Sequence, residues 1–93
     1  MKKLKLEPLE KVGSGKQGSI TASYFDIVQA VGFADNVTHL DDPYKVKASW
    51  GFRDDEDREA FIWCFKHYGE KEDCTYWSTS GDKSLLNDIG LWK

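Results

Sequence analysis

Three stretches of this 93-residue chain hold side chains that could do chemistry. Cys64 and His67 have the spacing of zinc ligands, but on an extended strand residues three apart point to opposite faces. They do not converge on one ion without a bulge. Asp54, Asp55, Glu56 and Asp57 supply the carboxylates of a calcium loop without its Gly or its closing Glu, so they read as a solvated turn. Gly13-Ser14-Gly15-Lys16-Gln17-Gly18 has the outline of a phosphate-cradling loop. Glu10 stands where that loop needs its first Gly and Gln17 where it needs Ser or Thr, so a flexible connector is expected. His39 lies in an acidic loop, with no Ser or Cys at a nucleophile elbow. No catalytic residue, metal ligand or cofactor is expected.

Recognition chemistry remains, and two sets of residues could carry it. Asp41, Asp42, Asp54, Asp55, Glu56 and Asp57 form an acidic rim suited to a basic cleft on a protein. Trp63, Phe65, Tyr76 and Trp77 with Lys45, Lys47 and Lys66 could instead stack a nucleotide, since aromatic faces flanked by cations suit bases.

The elements that must position these residues centre on a hairpin from Tyr44 to Tyr68. Val46, Ala48, Trp50 and Phe52 alternate with Lys45, Lys47 and Ser49, the period of a half-buried strand. The charged run 53–58 reads as a turn, and Ala60 to Phe65 returns apolar on both faces. Phe61, Trp63 and Phe65 share one of those faces; they need shielding by the terminal helix and Trp92, or they are exposed. Ile20 to Phe33 reads as a helix, with Thr21 or Ser23 as cap, Asp26 in its first turn, Gly32 as its stop and an inward stripe of Tyr24, Ile27, Val28 and Val31. A loop spans Ala34 to Pro43. Cys74 to Thr79 reads as a further strand, and Ser80-Gly81-Asp82 opens a short helix bearing Leu85, Leu86 and Ile89, with Leu91 and Trp92 as a latch. Residues 1–18, with Pro8, form a basic arm or edge strand, and 19–93 form one α+β domain: an antiparallel sheet of three or four strands ordered β-α-β-β-β-α.

Composition sets outer bounds. Four Trp, four Tyr and five Phe provide a core without disulfide or metal. Residues 1–17 carry five Lys against two Glu, which leaves eight basic and fourteen acidic residues in the body. Such a body is a poor general ligand for nucleic acid, although the Lys2, Lys3, Lys5 arm could touch DNA weakly. With no signal-like or membrane-spanning apolar run, a cytoplasmic location with Cys64 and Cys74 reduced is expected.

Ser23-Tyr24 at a helix start closing in Gly32, then Asp42-Pro43-Tyr44-Lys45-Val46, then Trp50, then an apolar strand ending Phe65-Lys66, together resemble a pattern in small proteins of bacteriophages and mobile elements. The resemblance covers about half of the chain, and Cys64 and the long acidic turn depart from it. It implies an α+β domain of the anti-defence type, anti-CRISPR proteins among them: a non-enzymatic inhibitor that binds a bacterial defence protein in the infected host cell. The alternatives are a sponge for a nucleotide or cyclic-oligonucleotide immune signal and a small nucleic-acid-associated structural protein. Homo-oligomers are compatible with each.

Overall fold

A computed structural model of the chain describes residues 5–13, 15–40, 46–65 and 71–92, with the Phe65 side chain outside the description. The fold is α+β. Strands β1 (Leu6–Pro8), β2 (Gly18–Thr21), β3 (Val46–Asp54), β4 (Glu59–Phe65) and β5 (Tyr76–Gly81) form one antiparallel sheet in the order β1-β3-β4-β5-β2. Helices α1 (Tyr24–Val31) and α2 (Lys83–Asp88) complete it, and single 3-10 turns lie at Thr38–Leu40 and Lys71–Asp73.

Five strands replace the expected three or four, because Gly18–Thr21 is a strand and not a connector running into the helix. Ile20 and Thr21 are β-branched, and Ile20 sits opposite Trp77 in the β2–β5 register, which buries it. The helix therefore begins later. Ser23 caps it through a capping box in which its hydroxyl accepts from Asp26 N–H and the Asp26 carboxylate accepts from Ser23 N–H. Gly32, at φ 92°, ends it in the left-handed region. Asp82 similarly caps α2, accepting from the N–H groups of Ser84 and Leu85.

Large residues line one side of the sheet. Ile20, Trp50, Phe52, Ile62, Cys64 and Trp77 pack there with Tyr24, Ile27 and Val31 of α1 and Leu85 and Leu86 of α2. Each of two indoles also holds one end of α1: Trp77 Nε1 donates to Ala22 O at 2.8 Å and Trp50 Nε1 to Phe33 O at 3.0 Å. The alternation of faces expected across β3 holds from Ala48 to Phe52, but the strand is not half-buried: Ser49 and Gly51 on its other face are buried as well. The alternation fails at Val46, where a bulge shifts the register and sets Val46 opposite Phe65.

Phe61 lies on the opposite side, but neither α2 nor Trp92 shields it. The chain between β1 and β2 must pass from one edge of the sheet to the other, and it does so across this back face as a strap. A Cβ on Gly51 would lie 2.8 Å from Lys11 O, and one on Gly13 would lie 2.7 Å from Phe61 Cβ and 2.5 Å from Ser80 Oγ. Gly13 is therefore a close-contact residue, and the far end of the expected connector is held too: Gly18 backs onto the Trp92 ring and Gln17 Oε1 accepts from Gly81 N–H.

Asn36 fastens the point where the strap leaves the sheet. Its amide nitrogen donates to Leu9 O and Gly51 O, and its oxygen accepts from Gly51 N–H, each at 3.0 Å. The side chain thus imitates a strand residue beside β3 while Ser49 O accepts from the Asn36 and Val37 N–H groups. Asn36→Ala leaves these backbone groups short of partners and should lower unfolding free energy by about 2 kcal/mol in urea titration; Asn36→Asp, which can still accept but not donate, should recover only part of it.

Candidate functional site

The acidic turn is built from within. Asp57 N–H donates to Asp54 O, Asp57 takes φ 63°, and Asp54 N–H donates to Arg58 O, so residues 55–57 form a three-residue hairpin loop. The Asp54 carboxylate sits beneath this loop. It accepts from Glu56 N–H at 3.0 Å, Arg58 N–H at 2.9 Å and Arg58 Nε at 2.7 Å, and the residue is only 3% exposed. Burial pushes its pKa up, but the Arg58 and Glu56 hydrogen bonds and the guanidinium charge outweigh burial and leave it below the ordinary carboxylate range. Arg58 in turn donates to Asp88 and Ser84 of α2. Its pKa is raised, first by Asp88 and then by Asp54.

Of the six acids expected to face a partner, Asp54 is therefore spent inside the turn, while Asp55, Glu56 and Asp57 are exposed at its tip. Asp41 and Asp42 lie outside the described residues. Around the tip the charges are paired: Glu7 with Arg53, Lys11 with Glu59. An open cleft of about 610 Å³ next to it is lined by Lys11, Asp57, Arg58, Glu59, Phe61 and Asp82, among others.

The aromatic set divides. Trp77 is fully buried on the helix side, against Trp50 at 5.3 Å between ring centroids, and so cannot wall a surface site. Trp63 and Tyr76 belong to the back face, where one cross-strand row reads Ser49, Trp63, Ser78, Ser19. Trp63 is half-buried there, and Tyr76 is 56% exposed with Lys16 Nζ 5.2 Å from its ring centroid. Ser19 first, by hydrogen bonding, and then the Lys16 charge lower the Tyr76 pKa. Lys47 is half-buried. Lys45, Lys66 and His67 lie outside the described residues, as does the Phe65 side chain. The cation on Tyr76 is thus Lys16, which sequence spacing did not nominate because it reaches the ring from the strap.

A second polar cluster was also unannounced. Asp35 accepts from Tyr24 Oη and Thr38 Oγ1, both at 2.6 Å, and from Lys71 Nζ at 3.1 Å; Lys71 also lies over the Tyr24 ring. Burial and then the Asp35 bond raise the Tyr24 pKa, so the phenol stays protonated and donating. This arrangement ties the start of α1 to the loop that follows it and contains no activated nucleophile. Among the described residues no three His, Cys, Asp or Glu side chains are placed to hold a metal ion, and no helix is long and apolar enough to cross a membrane. Comparison with protein-family models, curated proteins and solved structures returned no match for this chain.

Asp54 has a depressed folded-state pKa, so its contribution is present above the unfolded value near 4 and lost as pH falls through the folded value. Thermal melts from pH 7 down to pH 2 should show that acid limb, and Asp54→Asn should be less stable at pH 7 and lose less on acidification.

Proposed function

We propose that the chain is a non-enzymatic binding domain that engages a basic protein surface through the acidic tip at Asp55, Glu56 and Asp57. The observation that carries this reading is the way the tip is held. Asp54 and Arg58 fix the loop from beneath and tie it to α2, so three exposed carboxylates are presented on a preorganised support. A partner then orders little of this surface on binding, and complementary charge steers the encounter. The acidic body of the chain adds to the field. The resemblance to small phage proteins of the anti-defence type suggests a bacterial defence protein as the partner, which would make the chain an inhibitor acting by occupying a basic cleft.

The test leaves Asp54 in place, because its removal would disturb the turn. Asp57 occupies left-handed backbone and is better changed to Asn than to Lys. Asp55→Lys, Glu56→Lys and Asp57→Asn combined should leave the melting temperature near wild type and weaken the complex by at least about tenfold, with less dependence on salt. The measurement is capture of partners from bacterial lysate on immobilised wild-type and variant chains, followed by titration calorimetry with whatever the wild type retains. Partners held equally by both would remove the acidic tip from consideration.

A second reading is favoured by Tyr76, exposed beneath Lys16 and on the same face as half-buried Trp63. That surface suits the face of a nucleotide base, and two rings with a cation are consistent with micromolar binding, since stacking contributes roughly 1–3 kcal/mol per base. Mono-, di- and cyclic nucleotides should quench tryptophan fluorescence, and Trp63→Ala or Tyr76→Ala should weaken binding at least about tenfold. A flat titration at millimolar nucleotide would eliminate it.

A further inference from the structure

Cys64 on β4 and Cys74 just before β5 are both buried free thiols, and their sulfurs stand 3.0 Å apart. That contact is long for a disulfide bond, near 2.05 Å, and within hydrogen-bonding reach for thiols. Nothing separates the two sulfurs. Closing the gap asks for a movement of about 1 Å, and Cys74 lies in a short irregular segment between the 3-10 turn at Lys71–Asp73 and β5.

We propose that Cys64 and Cys74 are a redox-modifiable pair that closes to an intramolecular disulfide on exchange with a small-molecule disulfide, and that this bond latches the 71–75 segment to the sheet. The exchange has an order set by access. Cys74 is 9% exposed and Cys64 1%. The Cys74 thiolate attacks one sulfur of the reagent, forming a mixed disulfide and expelling one thiolate. Cys64, deprotonated in turn, attacks the Cys74 sulfur and expels the second. Two protein thiols are oxidised, one reagent disulfide is reduced to two thiols, and no other oxidant is required. Burial, then the neighbouring Cys74, pushes the Cys64 thiol up to about 12, so Cys64 is a poor first nucleophile; the part of that shift due to the Cys74 charge is lost once Cys74 is held in the mixed disulfide. The same segment carries Lys71, which holds Asp35 and covers Tyr24, so the latch would firm the cluster at the start of α1.

The purified full chain is incubated with oxidised glutathione and followed by intact mass and thermal melting. Wild type should lose about 2 Da, resist alkylation after unfolding, melt roughly 10 °C higher, and revert with dithiothreitol. Cys64→Ser should stop at a single glutathione adduct on Cys74, and Cys74→Ser should react at least about tenfold more slowly. Wild type that stays reduced, ends with two adducts, or links into dimers overturns the pair; an oxidised chain that melts no higher overturns the latch.

Discussion

Two indole N–H groups hold the domain's main helix to its sheet. α1 has only eight residues, too few to persist in water without tertiary support. Trp77 reaches the carbonyl just before the helix and Trp50 reaches one just after it, so each end is bonded to a different strand while the rings pack on Tyr24. The position of α1 then sets where Tyr24 presents its hydroxyl. Asp35 receives that hydroxyl, and Lys71 and Thr38 complete its shell, so the loop after α1 and the approach to β5 are both registered against the helix.

The sheet has one side for bulk and another for close approach. Trp50, Phe52, Ile62 and Trp77 fill the helix side, whereas the back face presents Ser49, Gly51, Ser78 and Ser80 around Phe61 and Trp63. Small residues at those positions let the strap from β1 to β2 lie against the backbone, which is why Gly51 and Gly13 have no room for a Cβ. Covering the central row in this way leaves the two ends of the face distinct: paired charges and the acidic tip at one, Trp63, Tyr76 and Lys16 at the other. The two candidate binding surfaces follow from that division.

Arg58 shows why formal charge is a poor guide to recognition in so small a domain. It couples the hairpin turn to α2 through Asp54 and Asp88, so one acid of the charged run is structural while its neighbours remain at the surface. A binding surface made from the rest inherits its geometry from the buried member. The same division appears among the aromatics, where adjacent Trp77 and Tyr76 serve core and surface because successive strand residues face opposite sides.

Features set by residues a few positions apart were legible in the sequence alone. Ser23 as one of two candidate caps with Asp26 in the first turn, the Gly32 stop, the opening of α2 at residues 80–82 and the alternation of faces from Ala48 to Phe52 each depend on short-range geometry, and with them the α+β class and the inward stripe of α1; the structure then chose Ser23 over Thr21 and Asp82 as the cap of α2. What only the tertiary structure decided involves partners far apart in the chain. Ile20 becomes a strand residue because Trp77 lies opposite; Asn36 becomes a strand mimic because Leu9 and Gly51 converge on it; Lys16 reaches Tyr76 by way of the strap; and Asp54 is withdrawn from the surface because Arg58 is anchored by Asp88. Alternation could say that Phe61 and Ile62 face opposite ways. It could not say that a crossing strap, instead of a helix, covers Phe61, since that follows from β1 and β2 lying at opposite edges of one sheet.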